Sequence, residues 1–265
     1  MKTSIAQIVA LTAYGNASLQ GQSVSFDFKH STAEKCKEIT FIEWPRANIL
    51  ANNPNEWFKF LKENKIEYLS LHYVISEEGL KEDRENIGFV GGGGRWLIAA
   101  VSGETADIWE GRWIISDESA SEENLWTVNY GRIAKEWSLP PEDDLPPLGK
   151  TYSNLKSALQ DIIPFSEEQN EEEFTKTFKS ALNCLTSENP LIDVSHRDLI
   201  IEKNYSLKAR QILAACLKGF VFGAMGSWND MAFVDETQKV YDELSDNLFL
   251  AIHQSICVAI NTFPK

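Results

Sequence analysis

SLPPEDDLPPLGK, residues 138–150, divides this chain in two. Its four prolines fix φ and remove backbone donors while its three acids hold the segment in water, so it reads as a linker. Before it stand seven of the eight tryptophans and a period-two alternation of apolar and polar residues. After it the apolar repeat is about 3.6. The expected fold class is α+β. An N-terminal, mainly antiparallel sheet with one or two helices fills a β-rich domain over 1–140, and a C-terminal helical bundle fills a four-helix domain over 151–265.

Several strands are expected upstream of the linker. Val24, Phe26 and Phe28 alternate with Ser25, Asp27 and Lys29, which predicts a half-buried strand. Residues 39–44 are rich in β-branched and aromatic side chains and stop at Pro45, which suggests an antiparallel neighbour. Asn53 and Pro54 then open a short helix carrying Trp57, Phe58 and Leu61. Over 67–76, Leu69, Leu71, Tyr73 and Ile75 share one face, and Tyr68, Ser70, His72 and Val74 share the other. The run 96–101 is apolar on both faces, Ser102-Gly103-Glu104 supplies a hairpin turn, and Trp109, Trp113 and Ile115 lie opposite Glu110 and Arg112. A last strand is expected over 125–133.

Downstream, helices are expected at 151–163, 167–186, 206–225 and 234–262. In the last, Tyr241, Leu244, Leu248, Ile252, Ser255, Ala259 and Phe263 draw one apolar stripe that ends at Pro264. In the third, Ala215, Gly219 and Gly223 recur every four residues and leave a groove for a close helix, from this chain or from a second copy. A homo-oligomer through the helical half is therefore an expectation. SEEQNEEE, residues 166–173, reads as the acidic first turn of the second helix.

With 25 Lys and Arg against 39 Asp and Glu, the formal charge is -14, a field that repels nucleic acid and anionic membranes and favours a basic protein partner. The opening residues are too polar for a secretory core, and 212–225 is too short for a span and holds Lys218, so no transmembrane helix is expected. Cys36, Cys184, Cys216 and Cys257 lie far apart without a CxxC pair, which argues against a zinc or redox site and fits a reducing cytoplasm. No cofactor and no metal are called for.

Two loops are candidate sites. Gly91 to Gly94 followed by Arg95 would expose backbone amides to an anion, with Gly92, Gly93 and Arg95 as the contacts. A phosphate loop needs a helix start and a GKS or GKT ending, so a flexible strand-to-strand connection is the stronger reading, with a lid above the sheet as a further alternative. GSWNDMAF, residues 226–233, sets Trp228 beside Asn229 and Asp230, as a binding anchor or, the favoured reading, as a plug between helices and sheet. The four histidines are scattered, and His72, sharing a face with Tyr68, is the one best placed to meet a ligand. No GxSxG, HExxH or Walker sequence occurs, so no catalytic residue is assigned. The leading expectation is a non-enzymatic interaction protein, an adaptor or a neutralising, immunity-like partner with an acidic surface. The alternative is an enzyme or small-anion-binding protein with a pocket between the sheet and the helical half.

Overall fold

Residues Thr3–Leu19 form a helix, α1, that the period-two reading of the first portion does not anticipate. Its residues are apolar or small on every side, and thirteen of the seventeen are buried, as befits a helix enclosed by the fold rather than laid on its surface. Its few polar groups are individually satisfied. Thr12 Oγ1 donates to the Ile8 carbonyl at 2.8 Å, and Gln7 Nε2 donates to the Thr32 carbonyl at 2.9 Å.

The computed structural model describes residues 1–116, 124–138 and 145–264. After α1 come β1 (Cys36–Glu43), β2 (Asn48–Ala51), α2 (Pro54–Glu63), β3 (Tyr68–Val74), α3 (Leu80–Asn86), β4 (Arg95–Ser102), β5 (Thr105–Ile115) and β6 (Trp126–Ser138). Helices α4 (Leu148–Glu168), α5 (Glu172–Cys184), α6 (Leu207–Gly219) and α7 (Asp235–Asn261) complete the chain. The fold is mixed, and its C-terminal part is helical. Of the proline-rich stretch, Ser138 ends β6 and Leu148 opens α4, while 139–144 lie outside the described residues.

The six strands form one sheet in the order β2-β1-β6-β5-β4-β3. The neighbour of β1 across the turn is antiparallel β2, as Pro45 suggests, but its other neighbour, β6, runs parallel to it, so the sheet is mixed. The hairpin joining β4 to β5 turns at Gly103 and Glu104, with Ser102 opposite Thr105. Residues 24–28 are not a strand. The Phe26 backbone is instead held by the Asn55 side chain, which accepts from its N–H and donates to its carbonyl, each at 3.0 Å, so no partner strand is needed.

The helices pack on the sheet side marked by Leu69, Leu71, Ile98 and Trp109, and one hydrophobic core draws on residues from both sides of the proline-rich stretch. There Trp57 of α2 stacks on Phe41 of β1 at 4.4 Å, and Phe41 stacks on Tyr130 of β6 at 5.3 Å. The outer edge of β3 is sealed by asparagine side chains. Asn16 of α1 accepts from Leu69 N at 2.7 Å and donates to its carbonyl at 2.9 Å. Asn261 of α7 pairs with Leu71 in the same way, at 2.8 and 3.0 Å.

Three helix boundaries differ from expectation. Helix α4 runs through Pro164 to Glu168 because Phe165 and Ser166 are buried and Ser166 is hydrogen-bonded to the Ile163 carbonyl at 2.8 Å and the Thr175 hydroxyl at 2.7 Å. Residues 166–168 thus end α4, and only Glu172 and Glu173 lie in the first turn of α5. Helix α6 stops at Gly219, so Gly223 lies beyond it. A Cβ on Gly219 would stand 3.2 Å from the Ala181 Cβ of α5, so the small-residue groove is filled within the chain.

Candidate binding face and aromatic pocket

The second side of the sheet carries Tyr68, Ser70, His72 and Val74 of β3, Leu97, Ala99 and Val101 of β4, and Ala106, Ile108, Glu110 and Arg112 of β5, placed there by the antiparallel register. Its apolar cluster of Ala99, Val101, Ala106, Tyr68 and Ile108 contains strand residues only. Among the described residues no helix packs on this side. Trp44, Val74, Ile114 and Trp137 are exposed on it, Trp137 to 61%. Two of its arginines are engaged: Arg95 donates from Nε and Nη2 to Glu110 at 2.7 and 2.8 Å, and the Arg112 guanidinium lies 3.6 Å from the centre of the Trp44 ring. The His72 Nε2 is bonded to the Ser70 hydroxyl at 2.8 Å, and burial lowers the imidazole pKa, so the ring is neutral near pH 7.

On the helix side, a cavity of about 640 Å³ lies between the start of α1, residues 90–94 and strands β4 to β6. Its walls include Trp96, Trp113, Trp126 and Tyr130. The glycine run forms one rim, and its conformation is tightly determined. Gly91, Gly93 and Gly94 have positive φ, and a Cβ on Gly92 would stand 2.0 Å from the Asn86 carbonyl oxygen. Only glycine lets this segment lie against the end of α3, so it is a packed strap. The preceding residues are tied down by Lys2, whose ammonium donates to the Ile87 and Phe89 carbonyls at 2.8 and 2.5 Å.

The candidate residues therefore fall in three places. Gly92 and Gly93 line the cavity, whereas Arg95, Tyr68 and His72 belong to the opposite side of the sheet. Trp228, Asn229 and Asp230 form a turn in the helical part. Trp228 is fully buried, donates from Nε1 to Ser245 Oγ at 2.8 Å, and sits among Phe165, Phe174, Phe178 and Tyr241. Asn229 donates to the Arg84 carbonyl at 2.6 Å, and Asp230 accepts from Gly226 N. Arg84 is itself buried, with Nε on Asp246 at 2.6 Å and Nη2 on Asp242 at 3.1 Å, tying α3 to α7.

Ser31, His196 and Asp198 also meet, at the contact of loops 20–35 and 187–201, but not in the order a nucleophile requires. The single Ser31 proton points to Asp198, so His196 Nδ1, at 2.8 Å, must donate to Ser31 Oγ. The imidazole cannot accept the hydroxyl proton in this arrangement. Burial pushes the Asp198 pKa up, but the two hydrogen bonds from Ser31 outweigh it and hold the carboxylate below its ordinary range, leaving it a poor base. The cluster is a polar clamp between two loops. Among the described residues, no three His, Cys, Asp or Glu side chains are placed to share a metal ion, and no helix is long and apolar enough to cross a membrane. All four thiols are free and buried.

No family model, curated protein or solved structure matches the chain. The pocket aromatics and the exposed Trp44, Ile114 and Trp137 are not among the site residues the sequence suggests. The shared face of Trp109 and Trp113 is visible in their spacing, but its meeting with Trp96 and Trp126 depends on strand order, which spacing does not encode.

Proposed function

We propose that this chain is a non-enzymatic interaction protein, an adaptor or a neutralising, immunity-like partner, that offers to a basic protein the side of its sheet on which no described helix packs. The observation that carries this reading is the composition of that side. On a chain with 64 charged residues, it exposes Trp44, Val74, Ile114 and Trp137, and its arginines are engaged by Glu110 and Trp44. Protein interfaces are depleted in charge at their centre and enriched in Trp, Tyr and Arg, which supply large area at low entropic cost. The overall charge of -14 would draw in a basic partner and speed its encounter.

The test is capture from the source cell extract with the full chain and with two separate variants, Trp44→Ala and Val74→Arg, each first shown to unfold like the parent. A basic protein retained by the parent, weakened by added salt, and retained at least about tenfold less by both variants is the expected result. Retention unchanged in both variants, or a partner indifferent to salt, overturns the reading.

A further inference from the structure

We propose that the cavity beneath residues 90–94 is a binding site for a flat aromatic molecule that is neutral or anionic, a role independent of the partner-docking face. At about 640 Å³ it falls within the range of small-molecule sites and admits a fused two-ring compound. Trp113 and Trp126 meet edge to face at 5.7 Å, an arrangement that leaves ring surface open for stacking. Behind them Tyr130 is fully buried, stacked on Phe41 and donating its hydroxyl to Gln7 at 3.0 Å, and so backs the floor rigidly. Gly111 keeps the floor flat, since a Cβ there would approach within 2.9 Å of the Tyr130 ring. Rigid, pre-set aromatic walls bind flat rings with little ordering cost.

Charge narrows the class. Glu110 runs along the lining, but its carboxylate lies on the other side of the sheet, held by Arg95 Nε and Nη2, so a cationic ligand finds no counter-charge in the cavity. Lys2 brings an ammonium to the rim with two of its three protons on carbonyls, leaving one for a ligand oxygen. An acidic protein thus holds a cavity whose available charge is positive.

The experiment is calorimetry and saturation-transfer NMR on the full chain with four probes: 2-naphthoate, 2-naphthol, 2-naphthylmethylammonium and cyclohexanecarboxylate. Naphthoate and naphthol should bind, with the ammonium and the non-aromatic acid each at least about tenfold weaker, the equivalent of one good aromatic contact. Trp113→Ala and Trp126→Ala should each weaken naphthoate by a similar factor. Trp126→Phe, which keeps a ring and guards against a folding defect, should retain most of the binding. Equal affinity for the ammonium, naphthoate binding unchanged in both alanine variants, or no saturation by naphthoate or naphthol at millimolar concentration each overturns the proposal.

Discussion

Replacing Trp228 with alanine tests its role as a plug, which lies among α4, α5 and α7 and not, as the sequence suggested, between helices and sheet. The indole is fully buried, and burying a ring of this size removes on the order of 200 Å² from water, about 5 kcal/mol at ~25 cal/mol/Å². Its surroundings are four aromatic rings on α4, α5 and α7, which can close only partly over the space. The expected loss for Trp228→Ala is therefore about 4 kcal/mol. Trp228→Phe keeps most of the packing but removes the indole donor to Ser245 Oγ, now at 2.8 Å, and should cost about 2 kcal/mol. Urea unfolding followed by far-ultraviolet circular dichroism reads both as a lower midpoint with an unchanged slope. A loss under about 1 kcal/mol for alanine, or equal losses for the two variants, would refute the plug.

Two further changes follow from groups held away from water. His253 is fully buried, with Nδ1 on the Phe249 carbonyl at 2.7 Å, and burial pushes its pKa down to about 4. The unfolded chain takes up this proton near pH 6.5 and the folded chain only near 4, so the neutral ring's contribution, about 3 kcal/mol, is present above pH 6.5 and lost as pH falls to 4. A His253→Phe variant should unfold with a flatter pH dependence across that window, and an unchanged slope counts against the assignment. Arg84→Met leaves Asp246 without its cation and Asp242 with Lys81 alone, and should cost about 3 kcal/mol in the same unfolding assay, whereas a cost below about 1 kcal/mol would mean that water and Lys81 replace the guanidinium.

The parts of the fold that were legible in the sequence are those in which one residue spacing governs one environment. Strand β3 shows its two faces because Leu69 and Leu71 meet helices while Tyr68 and His72 do not, and α2 shows its start because Asn53 accepts from Glu56 N at 2.9 Å one turn on. Helix α1 was opaque for the opposite reason. It is buried on every side and carries no periodic contrast between faces. The extended run at Phe26 has the alternation of a strand without a strand partner, since Asn55 supplies the hydrogen bonds. For the site, the glycine run announced its unusual backbone but not its tight seat against α3 or the aromatic walls beneath it. Those walls come from three strands brought together only by tertiary order, and α1 closes the cavity with Ile5 and Ile8.

The amides of Asn16 and Asn261 have a consequence for assembly. By occupying the outward hydrogen-bonding groups of Leu69 and Leu71, they leave the β3 margin unable to recruit another polypeptide strand. The opposite margin, β2, is only four residues long. Polymerisation by lateral strand addition therefore has one closed end and one short one, and two helices guard the closed end while serving the interior.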